Sequence, residues 1–85
     1  MSAHDPRSVM TLADLDPGDH ACISRLYSEK KDALKKLIAM GLLPKTRLRL
    51  LRRKPTYVFS VGNARFAVDA DLARTIFVER EHAAV

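Results

Sequence analysis

The chain has 85 residues, 47% of them hydrophobic and 29% charged, enough for one compact core and too few for two, which excludes a multidomain enzyme. Fifteen Lys and Arg against ten Asp and Glu give a formal net charge of +5, which favours an acidic or nucleic-acid partner without identifying one. The longest near-apolar stretch, Leu37 to Leu43, falls far short of the roughly 20 residues that cross a bilayer.

Residues 1–9 contain Asp5-Pro6-Arg7-Ser8 and no periodic apolar pattern, so they are expected to form a flexible arm ahead of a domain over residues 10–79. They also hold no apolar run of the kind a secretory signal needs, which points to the cytoplasm. The Thr11 hydroxyl is placed to cap one helical turn that brings Leu12 and Leu15 to the same side, and Pro17-Gly18 stops it. His20 to Leu26 reads as a strand with Ala21 and Ile23 on one face and His20, Cys22 and Ser24 on the other. Ser28 is the expected cap of a helix from Glu29 to about Met40, with Leu34, Leu37 and Ile38 as its apolar stripe. Gly41 supplies the left-handed stop, and Leu42 is expected to fold back onto the last turn.

After the Pro44-Lys45 turn, Thr46 to Leu50 alternates strictly, with Leu48 and Leu50 inward and Arg47 and Arg49 in water. Arg52-Arg53-Lys54-Pro55 reads as a charged connection, because proline cannot donate to a ladder. Tyr57, Phe59 and Val61 share a face of the next strand, Gly62-Asn63 makes a two-residue hairpin turn, and Phe66 and Val68 return on the following strand. Asp69 caps a short turn, and Thr75 to Val78 forms the last strand, with residues 80–85 expected to fray. The fold class is therefore mainly β with one inserted helix: a small closed or nearly closed barrel of about five strands.

Little in the chain supports chemistry of its own. His20 and Cys22 lie two apart on a strand and could share a soft metal ion, yet structural zinc needs four ligands and catalytic zinc three. The remaining histidines, His4 and His82, sit in the expected mobile ends. Asp14, Asp16 and Asp19 flank Pro17-Gly18, where aspartates cap turns. Gly18, Gly41 and Gly62 are isolated, so no phosphate loop exists, and Cys22 and the serines lack the base and orienting group that a nucleophile requires. The expectation is a non-enzymatic chain without a cofactor or a small-molecule substrate.

Contact surfaces carry more information. Lys45, Arg47, Arg49, Arg52, Arg53 and Lys54 fall in one short segment, and Lys30, Lys31, Lys35 and Lys36 line the polar side of the helix. These cations can simply solvate a small domain, or they can dock an acidic protein surface or an anionic membrane leaflet. Met40, Leu42 and Leu43 at the helix end form the apolar candidate contact. A barrel edge near Thr56 to Ser60 is a third, open to a strand from a partner or from a second copy.

The order Met10-Thr11-Leu12, Leu15-Asp16-Pro17-Gly18, Ile23, Leu34, Leu37, Met40-Gly41-Leu42, Pro44, Thr46 and Arg52, ending in Pro55 to Phe59, Phe66 to Asp69, Leu72-Ala73 and Ile76, resembles the FeoA family of ferrous iron transport accessory proteins. It looks like a short-loop branch, with Lys45 where many members have glycine and Arg53-Lys54-Pro55-Thr56 in place of a longer loop. The resemblance implies an SH3-like barrel, a family-level association with transition metal ions, and a cytoplasmic adaptor. Its implied partner is the GTP-binding, FeoB-like membrane ferrous iron permease, with membrane contact only through that protein. Related domains are fused behind metal-dependent repressors, and the absence of a helix-turn-helix here suggests a free-standing copy. The alternatives are a small basic barrel that binds nucleic acid and a self-associating structural module, a homo-oligomer.

Overall fold

A computed structural model describes residues 10–81. The expected arm at 1–9, His4, His82 and the last residues lie outside the described residues. In chain order the elements are a 3-10 turn (Leu12–Asp14), β1 (His20–Leu26), α1 (Lys31–Ala39), β2 (Arg47–Arg52), β3 (Tyr57–Val61), β4 (Ala64–Val68), the short α2 (Ala70–Ala73) and β5 (Ile76–Arg80). The strands form a single sheet ordered β4-β3-β2-β1-β5, antiparallel at every step.

Alternation along the strands builds the core. Ala21 and Ile23 of β1, Leu48 and Leu50 of β2, Phe59 of β3, Val68 of β4, and Ile76 and Val78 of β5 all turn to the same interior, joined by Leu12, Leu15, Leu37, Leu42 and Ala73. Among the described residues none of the buried ones is polar or charged, so their burial carries no side-chain desolvation penalty, and each buried Leu, Ile, Val or Phe contributes roughly 1.5–3 kcal/mol. Phe59 and Phe66, paired across the hairpin, set their ring centroids 5.6 Å apart, within the range of favourable tilted aromatic contacts.

Local chemistry fixes most boundaries. Gly41 adopts φ +87°, its amide donates to the Ile38 carbonyl at 2.9 Å, and the Leu42 amide donates to the Leu37 carbonyl at 3.0 Å. This double closure ends the helix and buries Leu42 against the core. The Asp69 carboxylate accepts from the Leu72 amide at 2.8 Å and opens α2. Gly62, at φ +59°, makes the tight turn that sets Val61 opposite Ala64.

Five details depart from the sequence reading. The first turn is closed by Asp14, whose carboxylate accepts from the Thr11 amide at 2.8 Å, because an aspartate three residues on reaches back to the entering amide. The helix starts at Lys31 rather than Glu29: the Ser28 hydroxyl spends its acceptor on the Lys30 amide at 3.0 Å, which holds the chain in a turn two residues longer. Ile38 is 53% exposed, since the helix meets the core along Leu37 and leaves its neighbour in water. Arg52 belongs to β2, opposite Val58 across a bulge, so the charged connection begins one residue later. The last strand continues through Arg80, past the expected limit of 79. Its end is held by pairing with β1, by the Glu81 amide donating to the His20 carbonyl at 2.8 Å, and by an Arg80–Asp19 ion pair at 3.0 Å.

The sheet's two ends are β4 and β5. Chain from the N-terminal side covers β5: Thr11 bridges Phe77, and the Val78 amide donates to the Met10 carbonyl at 2.9 Å. Among the described residues the free edge is therefore β4, whereas β3, where the sequence reading placed an edge, is paired on both sides. Strand order is a non-local property, and a hairpin signal alone does not say which of its strands is outermost.

Candidate partner-binding surface

Strand register sorts the singled-out residues onto surfaces. Residues directly opposite one another on paired strands share a face. His20 stands opposite Arg49, Arg49 opposite Ser60, and Ser60 opposite Arg65. A row of His20, Arg49, Ser60 and Arg65 thus crosses the outer face of four strands. In the neighbouring row Arg47 faces Cys22, which faces Glu79. A shallow hollow of about 250 Å³ lies here, lined by His20, Arg47, Arg49, Ser60, Gly62 and Glu81.

The charges on this face are graded. Arg47 is bridged to Glu81 of the last-strand end at 3.1 Å, while Arg49 and Arg65 have no carboxylate in salt-bridge range among the described residues. The side nearest β4 is consequently the more electropositive one. Arg52 is exposed at the end of β2, and Lys54 at the tip of the following connection.

Arg53 turns elsewhere. Its guanidinium donates to the main-chain carbonyl of Ala13 at 3.2 Å, approaches Asp16 at 3.5 Å, and lies 5.8 Å from the Tyr57 ring centre. It ties the β2–β3 connection to the first turn and does not extend the basic outer face.

The helix-end candidates also separate. Leu42 is fully buried and Met40 is half-buried against the core, so Leu42 serves the interior and has no surface to offer. Leu43, 46% exposed, is the most open apolar side chain of that trio, and Ile38, five positions earlier on the helix, is a second exposed one.

His20 is exposed and Cys22 half-buried on the basic face. Their immediate neighbours across the ladder are Arg49 and Arg47, cations that disfavour a metal ion at that spot. Among the described residues no group of three or more His, Cys, Asp or Glu side chains could hold a metal.

Two features went unread in the sequence. Arg65 and Ser60 belong to the basic row; the two-residue turn, combined with Phe66 and Val68 facing inward, carries the signal that would have placed them. A groove of about 520 Å³ between the start of α1 and α2 is bordered by Tyr27, Lys30, Lys36, Asp69, Asp71 and Leu72. Its walls carry both signs of charge, and Tyr27 at its rim is 54% exposed.

A five-stranded antiparallel sheet with one helix inserted after its first strand defines a small SH3-like domain. Compared with known families, residues 10–80 match the FeoA domain, and the chain belongs to the FeoA family. Membership ties it to ferrous iron transport. Among solved structures it is similar to an iron uptake regulatory protein (FeoA), at 29% identity and TM-score 0.76, over 85% of this chain and 96% of that one. It is similar in fold to Stenotrophomonas maltophilia FeoA complexed with zinc, at 21% identity and TM-score 0.74, over 82% of this chain and 89% of that one. T. acidophilum IdeR gives TM-score 0.81 at 26% identity, over 93% of this chain but 37% of its own length. A search of curated protein sequences finds no match. No helix of the described residues is long and apolar enough to cross a membrane.

Proposed function

We propose that this chain is a non-enzymatic, cytoplasmic adaptor that regulates ferrous iron uptake by binding the GTP-binding membrane ferrous iron permease. Family membership supplies the process. The outer sheet face supplies the means: Arg49 and Arg52 are exposed there, with Arg47 beside them in a shallow hollow. The observation that carries the reading is that Arg49 has no counter-ion among the described residues, which leaves its charge available to an acidic surface. Such a surface attracts its partner over long range and fixes its orientation, and salt weakens the attraction. Exposed Leu43 adds an apolar contact at the helix end. The adaptor acts by binding one conformation of the permease better than another, since only differential affinity shifts such an equilibrium.

The chain, immobilised and exposed to solubilised membranes in a salt series, is expected to retain the permease at low and physiological salt and to release it at high salt. Retention of unrelated DNA or RNA with a steep salt dependence would favour the nucleic-acid reading instead. Against that reading, Phe59 is buried and Phe66 packs on it, so these rings are engaged with the core rather than free to stack on bases.

A further inference from the structure

The two-residue turn at Gly62-Asn63 dictates which main-chain groups of β4 point inward. The pair flanking such a turn, here Val61 and Ala64, is hydrogen-bonded, and bonded and non-bonded pairs then alternate along the ladder. Ala64, Phe66 and Val68 therefore spend their amides and carbonyls on β3, while those of Arg65 and Ala67 point away from the sheet. No hydrogen bond engages the Arg65 or Ala67 main chain from outside the ladder among the described residues. An edge of this kind is a template for another strand unless charge or covering chain forbids it. Thr11 and Met10 cover part of the opposite edge, β5, and no described segment does the same for β4.

We propose that the β4 edge, Ala64–Val68, is the docking site for an extended acidic segment of a partner protein, which adds to the sheet as a further strand. Charge complementarity selects this occupant. The residue of the incoming strand opposite Arg65 projects onto the outer face, with its Cβ about 4.5–5.5 Å from that of Arg65. A carboxylate there meets Arg65 directly, and Arg49 stands two strands farther along the same row, about 10 Å away. β4 itself contains no acidic residue to compete. Residues alternating with the acids fall on the face of half-buried Phe66 and favour apolar side chains. A second copy is disfavoured, because pairing β4 with itself brings two Arg65 side chains onto one face. The inference rests on reading the chain as a binding module, and it adds the chemistry and conformation of the bound segment.

The test is amide hydrogen exchange on the full chain, followed by NMR, with an end-capped peptide of alternating valine and glutamate as the probe. The Arg65 and Ala67 amides are expected to exchange fast in the free protein and to slow by at least about tenfold at saturation, while Phe66 and Val68 stay slow throughout. Lysine in place of glutamate in the peptide removes the effect, and Arg65→Glu transfers it to the lysine peptide. Ala67→Pro deletes an outward amide without touching the bonds to β3, so it abolishes binding with the fold retained; Arg65→Glu decides the matter if that variant does not fold. Unchanged exchange at Arg65 and Ala67, equal protection by both peptides, or protection that rises with protein concentration in the absence of peptide would each overturn the proposal. Permease capture is measured separately, so failure of the peptide removes this site and leaves the adaptor reading standing.

Discussion

The guanidinium of Arg53 donates to the main-chain carbonyl of Ala13, 40 positions earlier, at 3.2 Å. One side chain thereby pins the β2–β3 connection to the turn that carries buried Leu12 and Leu15. The accompanying approach to Asp16 is solvent-exposed on both sides and contributes little by itself. Arg53→Ala is expected to lower stability only slightly, because water replaces much of what an exposed hydrogen bond of this kind supplies. Chemical denaturation measures this, and permease capture by the folded variant should be unchanged, because Arg53 does not face the outer sheet.

Burial divides two adjacent leucines. Leu42 is fully buried, whereas Leu43 is 46% exposed. Leu42→Ala should cost about 2–5 kcal/mol through lost burial and the cavity left behind. Leu43→Ala should cost less than about 0.5 kcal/mol while weakening partner binding. Thermal unfolding paired with a capture assay separates the two effects.

Much of this arrangement is legible in the residues themselves. The alternation of Leu48 and Leu50 with Arg47 and Arg49, the Gly62-Asn63 turn and the Gly41-Leu42 stop all act through near neighbours, so β2, the hairpin and the helix end can be read locally. What stayed hidden depends on distant chain. Ile38 has the right spacing for the core, but the sheet covers only the flank beside it. Arg53 looks like one cation in a run until Ala13 is brought beneath it. The free edge at β4 becomes visible only when the strand order is known, and so does the row that joins Arg49 to Arg65.

Lys45 adopts φ +76°, a conformation that costs a residue with a Cβ about 1 kcal/mol or more. Its amide donates to the Ile23 carbonyl at 2.7 Å, which a glycine would also do, and its side chain is exposed. Lys45→Gly relieves the strain and gives back part of the gain through a freer unfolded chain. The net expectation is a stabilisation of up to about 1 kcal/mol. Gly41→Ala, at φ +87°, should do the reverse by about 1 kcal/mol. Denaturation midpoints of the two variants check both signs.

His20 and Cys22 share a face with Arg47 and Arg49 as their ladder partners. Calorimetric titration with ferrous iron under anaerobic conditions, and with zinc, should therefore give the same isotherm for the native chain and for His20→Ala with Cys22→Ala. A saturable heat lost in the double variant would assign those side chains a metal after all.

The central claim is that the outer basic face of the sheet binds the permease. Arg49→Glu with Arg52→Glu reverses two exposed charges that touch neither the core nor an ion pair among the described residues, so the fold should survive, as circular dichroism can verify. Lys35→Glu with Lys36→Glu on the helix applies an equal change of net charge elsewhere. The decisive measurement is permease capture and permease-dependent iron uptake with these two folded variants. Loss of both with the sheet variant and retention with the helix variant is the predicted result; undiminished capture and uptake with Arg49 and Arg52 reversed would contradict the account.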